Sequence, residues 1–292
     1  MIEQFLDYLR YERNRSELTV KRYGESLTDF QKYFEKLEDG LTWASVDADV
    51  IRMWIESRVK KGNVASTANT DLSALKSFFR FALARGLVKS DPAHMVEGLK
   101  KRKPLPQFVK ESELNELLDQ TEWSDTYKDV RARTIILMLY EAGLRRSELV
   151  GLDDKDVDLA AMQLRVLGKR NKHRIVPFGK ELAEQISLYK TCRDAQVQRD
   201  SDAFFVGVRG NRISVSEVYN TVRGCLSKVT TLKKKSPHVL RHSFATALLN
   251  HDAGLESVRL LLGHESLETT EIYTHTTFEQ LKRIYNESHP RD

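Results

Sequence analysis

The chain of 292 residues carries 47 lysines and arginines against 42 aspartates and glutamates, a net charge of +5. That length suits two domains better than one core, and the mild basic excess permits a polyanionic partner without requiring one. Cys192 and Cys225 are too few and too far apart for a disulfide framework or a zinc knuckle. No apolar run reaches the roughly 18 residues of a membrane span, and MIEQFLDYLRYERNR lacks the apolar stretch of a signal peptide. A cytoplasmic, nucleoid-associated protein with no membrane partner is therefore expected.

The first hundred residues read as amphipathic helix. Ile2, Phe5, Leu6 and Leu9 form one apolar stripe. Leu18, Val20, Tyr23, Leu27, Phe30, Tyr33, Phe34 and Leu37 form a longer one at helical period. A third helix is expected in DADVIRMWIESRVKKG, capped by Asp47 or Asp49, with Val50, Met53, Trp54 and Ile55 inside and a stop near Gly62. A fourth runs from about Ser66 to Arg85 and ends at Gly86. Short connections predict a small antiparallel bundle over residues 1–99. The stretch GLKKRKPLPQFVKES then resists helix and strand alike, because Lys100, Lys101, Arg102 and Lys103 adjoin two closely spaced prolines. Residues 100–110 are read as a linker, either a solvated tether or a basic strap along a phosphate backbone.

Signals mix over residues 111–292. SELNELLDQ and DVRARTIILMLYEAG are expected helices, the second apolar enough for a central core element ending at Gly143. Period-two patterning in VDL, QLRVL and RIVPF predicts a small antiparallel sheet, with GKRNKH as a polar turn and AFFV as a further strand. From Ser214 onward the chain reads as helix again, broken at Pro237, Gly254 and Gly263.

Five polar clusters sit at element ends. Arg145 and Arg146 follow Gly143, and Lys169 lies in the turn GKRNKHR. In SPHVLRHSFATALL, Ser236 is placed to cap and Pro237 to start a helix bearing His238 and Arg241 on one face. His238 and His242 also have metal-binding spacing, but HVLRH lacks the acid of H-E-x-x-H and no third ligand is evident. His264 follows a helix-ending glycine, where capping of carbonyls is its ordinary role, and Tyr273 closes a short helical stretch. Each alone reads as a surface or packing residue. Together they supply what metal-free phosphoryl transfer from a phosphodiester needs. Guanidinium and imidazole donors can stabilise charge gathering on the non-bridging oxygens. A tyrosine with pKa about 10 can attack when cations or a base help remove its proton, and a lysine on a turn can protonate the leaving oxygen.

The segments AGLRRSEL, GKRNKHRIVPF, HVLRHSFATALL, LLGHESLETTEIYTH and TTFEQLKRIYNESHPRD resemble the tyrosine recombinase (phage-integrase-type) family, and within it the Xer site-specific recombinases. The resemblance implies a mainly α fold with a small antiparallel β-sheet in the second domain. A helical core-binding, DNA-binding bundle would be joined by the basic linker to a mixed α+β catalytic domain ending in a tail helix over about 277–287. It implies that Arg145 and Arg241 clamp the scissile phosphate, that His264 donates a further hydrogen bond, and that His238 assists proton transfer. Lys169 is the implied general acid and Tyr273 the nucleophile that forms a 3′-phosphotyrosyl enzyme; Glu148 matches an acid that buttresses the first arginine. Neither metal, ATP nor other cofactor is expected.

Double-stranded DNA is the implied partner, bound as a homo- or hetero-tetramer on two duplexes, with a paralogous recombinase and a DNA translocase as candidate partners. Lys233, Lys234 and Lys235 join the linker cations as DNA-binding candidates. Phe278, Leu281, Ile284 and Tyr285 lie on one face of the tail, which either packs on its own domain or docks into a neighbouring protomer. The expected reaction is chromosome-dimer resolution at a dif-like site. A mobile-element integrase or excisionase, a type IB topoisomerase and a DNA-binding regulator with a vestigial site are the alternatives.

Overall fold

The computed structural model describes residues 1–37, 40–100, 107–168, 173–199, 201–263 and 283–291. The chain divides into two compact units, Met1–Pro104 and Leu105–Asp292.

The first unit is helical. α1 (Ile2–Asp7) continues into a π-helical turn at Tyr8–Glu12, followed by α2 (Glu17–Phe34), α3 (Ala48–Lys60) and α4 (Ala65–Ala84). Local chemistry sets the starts: the Ser16 hydroxyl accepts the Thr19 N–H at 3.3 Å, and the Asp47 carboxylate accepts the Val50 N–H at 2.9 Å. The core is an aromatic cluster in which Trp43, outside every predicted helix, lies 4.4 Å from Phe78 and 5.2 Å from Phe34 between ring centroids. Each such pair adds about 0.5–1.5 kcal/mol beyond area burial. Inside the bundle, Asp71 is fully buried and accepts from Arg22 (2.6 Å) and Ser26 (2.8 Å) on α2 and from Arg58 (3.0 Å) on α3. One carboxylate thus joins three helices, and its burial is sustained by that pairing. Three expected core positions differ: Leu18 is 78%, Met53 45% and Leu37 41% exposed, the first two because each sits on the solvent side of a stripe whose other members fill the core, the last because α2 ends at Phe34 before it.

The second unit begins with α5 (Glu111–Asn115) and a π-helical turn at Glu116–Gln120, then α6 (Tyr127–Glu141) and α7 (Arg146–Gly151). Val109, just before α5, is buried, and its N–H donates to the Ser243 hydroxyl at 2.8 Å. A 3-10 turn at Asp154–Asp156 leads to β1 (Val157–Asp158), β2 (Gln163–Leu167) and β3 (His173–Pro177). The sheet is antiparallel in the order β1-β2-β3, and Leu167 pairs with His173 at the end of the β2–β3 hairpin. α8 (Lys180–Gln196), α9 (Val215–Val229), α10 (Pro237–Asn250) and α11 (Leu255–Leu262) follow. α6 is buried on nearly every side and packs against α8, α9 and α10, as its continuous apolar run requires.

Residues 203–206 are not a strand. Their bridges are isolated, Asp153 to Ala203 and Val206 to Arg212, while Phe204 and Phe205 are fully buried. Side chains take the place of a partner strand: the Phe204 carbonyl accepts from Tyr189 (3.1 Å) and Arg193 (2.8 Å). The Val206 carbonyl likewise accepts from Tyr127 and Arg131, both at 2.7 Å.

The described end of the chain packs on its own unit. Residues 283–288 are helical, Tyr285 is fully buried and Ile284 half-buried. The Tyr285 ring stacks on His289 at 5.0 Å. Arg291 donates to Asp119 (2.6 Å), Glu181 (2.8 Å) and Asn115 (2.9 Å). Phe278 and Leu281 lie outside the described residues. Among the described residues, no helix is long and apolar enough to cross a membrane.

Candidate active site

The site is assembled where α6, α7, β3, α10 and α11 end or begin. Gly143 terminates α6 with φ +55, and an added Cβ there would lie 2.4 Å from the Phe244 ring. Only glycine meets both demands, so the chain reverses tightly into α7. Arg145 occupies the N-cap of α7, and Glu148, three residues on, reaches back to accept the Arg145 N–H at 2.8 Å.

The Glu148 carboxylate is the hub. Its Oε1 accepts from Arg145 Nη1 at 2.7 Å and from Arg174 Nη1 at 2.6 Å, while Oε2 accepts from Arg174 Nη2 at 2.9 Å. Arg241 Nη1 stands 4.0 Å from Oε2. Three guanidiniums therefore surround one carboxylate, a local excess of positive charge. Burial works to raise the Glu148 pKa, but hydrogen bonding and charge from Arg174, then from Arg145, outweigh it and hold the group below the usual carboxylate value.

The same arginines grip the end of α11. Arg241 donates to the carbonyls of Gly143 and Leu262, and Arg145 Nη2 donates to the Gly263 carbonyl at 3.0 Å. Gly263 ends α11 with φ +61. Burial, and next the neighbouring Arg145, lower the Arg241 pKa to about 9, so the cation persists at neutral pH in surroundings that favour an anion. The Arg145 side chain is 26% exposed and that of Arg241 8%, which makes Arg145 the more open of the two.

His238, one turn before Arg241 on α10, is exposed. Partial desolvation, followed by Arg146, Lys234, His242 and Arg241, holds it below the usual histidine value. At neutral pH its ring is uncharged and can accept a proton. Ser236 stands at the N-cap of α10 as expected from its position, but its hydroxyl makes no capping bond. Lys233 and Lys234 are exposed, and Lys235 lies 3.4 Å from the Ser227 hydroxyl. Lys100 is exposed. Lys101, Arg102, Lys103, Lys169, His264 and Tyr273 lie outside the described residues. The described structure thus brings Arg145, Glu148 and Arg241 together and puts His238 on the same helix as Arg241.

Arg174 is the member that motif reading passed over. A signal was available: alternation along RIVPF puts position 174 on the same face as the buried Val176. An arginine at an inward strand position requires a buried acid, and Glu148 is that acid.

Residues 107–280 match the Phage integrase family and residues 2–86 its N-terminal SAM-like domain. The chain belongs to the phage integrase family of tyrosine recombinases, enzymes of site-specific DNA recombination. It is 37% identical to tyrosine recombinase XerC of Vibrio vulnificus (strain YJ016) over 291 residues, spanning 99% of this chain and 91% of that protein. Tyrosine recombinase XerC of Pelotomaculum thermopropionicum is 35% identical over 300 residues, spanning 99% and 98%. The fold matches that of XerH site-specific recombinase, solved as a post-cleavage complex with a palindromic difH substrate. The TM-score is 0.72 at 23% identity, over 97% of this chain and 83% of that one.

Proposed function

We propose that the chain cuts and rejoins duplex DNA through a 3′-phosphotyrosyl intermediate on Tyr273, and that it resolves chromosome dimers at a dif-like site. The observation that carries the chemistry is the convergence of Arg145 and Arg241, from separate helices, beside the end of α11 around one buried carboxylate. Such a pair of guanidinium forks suits a phosphodiester, whose non-bridging oxygens gain charge in the pentacoordinate transition state. His264 adds a donor to the same phosphate. His238, neutral at pH 7, receives the phenol proton as Tyr273 attacks phosphorus. The P–O5′ bond breaks as Lys169 protonates the leaving oxygen, and the freed 5′-hydroxyl of the partner duplex later displaces the tyrosine. Each phosphodiester is conserved as a phosphotyrosine, so the exchange needs no nucleotide hydrolysis.

The chromosomal role is supported by relatives that are XerC recombinases at 35–37% identity. In this reading the exposed Lys100, Lys233 and Lys234 lie along phosphates and the protein works as a tetramer, while Ile284 and Tyr285 hold the described end of the tail on its own unit. The test uses a nicked duplex carrying the site that the full chain protects in genomic footprinting. Wild-type protein should accumulate a covalent protein–DNA adduct, and Tyr273→Phe should leave none. Equal trapping by both proteins sinks the mechanism. Relaxation of supercoils without exchange between duplexes would instead mark a topoisomerase.

A further inference from the structure

We propose that Arg174 is a positioning residue for recombination: it fixes the Glu148 carboxylate, and through it Arg145, and so ties the β2–β3 hairpin to the phosphate clamp. The inference rests on the reading of Arg145 as a phosphate ligand.

The geometry shows how the work is divided. Arg174 takes both oxygens of Glu148 in a fork, at 2.6 and 2.9 Å, which sets the plane of the carboxylate. Arg145 is left with one side-chain bond to Oε1, and its second terminal nitrogen turns toward the end of α11. Without Arg174, Glu148 is free to take Arg145 in a fork of its own. That would draw the guanidinium inward and neutralise it. With Arg174 present, two cations share one anion, and Arg145 keeps attraction for a phosphate.

The arrangement is also a poor device for stability. Arg174 is 8% exposed, and its Nε has no hydrogen-bond partner among the described residues. A buried ion pair with an unsatisfied donor is commonly matched or bettered by apolar side chains of similar volume. A role beyond packing accounts for its presence. The side chain further packs on Gly263, where an added Cβ would lie 2.9 Å from Arg174 Cδ. Its strand neighbour His173 pairs with Leu167 at the end of the β2–β3 hairpin. One side chain therefore touches α7 through Glu148, the end of α11 through Gly263, and the hairpin through its own backbone.

The experiment measures single-turnover adduct formation by the full chain on the nicked, footprinted duplex, with affinity read separately by mobility shift. Arg174→Met should slow adduct formation about 10- to 100-fold, as small displacements of a reacting group do. Arg174→Lys, which restores charge but not the fork, should recover part of that loss. Affinity should stay within about 3-fold, and in an Arg145→Lys background the added loss from Arg174→Met should shrink to about 3-fold or less, because both act on one guanidinium. Loss of the same size in both backgrounds, or a rate for Arg174→Met like that of wild type, overturns the proposal. If circular dichroism finds Arg174→Met unfolded, Arg174→Lys in the two backgrounds decides by the same criterion. A wild-type chain that forms no adduct removes the phosphate-clamp reading itself, and the proposal with it.

Discussion

Replacing Gly143 by alanine is expected to strain the second unit at the point where α6 hands over to the site. The backbone there has φ +55, which costs an L-residue about 1–2 kcal/mol. The new methyl would lie 2.4 and 2.6 Å from two carbons of the Phe244 ring, which is fully buried and cannot swing into solvent. Overpacking of this kind costs about 1–3 kcal/mol, so Gly143→Ala should lose about 2–5 kcal/mol in all. Urea denaturation of the full chain would measure it, read on the transition of the second unit. Phe244→Leu makes room, so the double variant should recover the packing part and keep only the backbone part, a coupling of at least about 1 kcal/mol. Because the Gly143 carbonyl accepts from Arg241, adduct formation should fall more than DNA affinity does. A Gly143→Ala chain within about 0.5 kcal/mol of the parent, or a double variant showing no coupling, would refute the reasoning.

In the first unit, Asp71→Ala leaves Arg22 and Arg58 with only their more exposed partners Glu25 and Asp29 and should cost about 1–3 kcal/mol; an unchanged melting temperature would remove Asp71 as the tie between α2, α3 and α4. Burial lowers His289 to about 3 against 6.5 for the free group. The unfolded chain then binds the extra proton first, and stability present above pH 6.5 is lost as pH falls toward 3, by about 1.4 kcal/mol per unit. His289→Phe, which keeps a ring beside Tyr285, should flatten that part of the stability profile, and a variant as acid-sensitive as the parent would assign the loss elsewhere. His238 titrates below its usual value, so cleavage should decline only as pH drops below about 6.5; a His238→Gln chain showing the same acid limb would clear His238 of that role. Affinity for the duplex should fall linearly on a log–log plot against salt, and a flat plot would argue against phosphate-led binding.

Much of this was legible in the chain. Helix periodicity, the cap at Asp47, and glycine stops at Gly143 and Gly263 are local signals, and the structure places them where local chemistry dictates. Period two likewise located the three strands of the sheet. What escaped depends on distant partners. AFFV has the composition of a strand, but Tyr127, Arg131, Tyr189 and Arg193 satisfy its carbonyls from helices far away in sequence. Trp43 sits outside any periodic stretch and still fills the first core. Arg174 looked like one more cation in a basic turn, because its meaning depends on Glu148, 26 positions earlier. Arg145, Glu148 and Arg241 could be named from motifs. That the first and last of them also hold the carbonyls of α11 could not.

Those carbonyl bonds have a thermodynamic consequence. Arg145 and Arg241 spend donors on Gly263 and Leu262, and in the proposed mechanism those are the donors that a bound phosphate draws upon. Occupancy of the site and the set of the α11 terminus are therefore linked functions, each changing the free energy of the other by the same amount. A ligand that pulls the arginines toward itself loosens the end of α11, from which the chain runs on to His264. A substitution that tightens that end weakens the ligand by an equal factor.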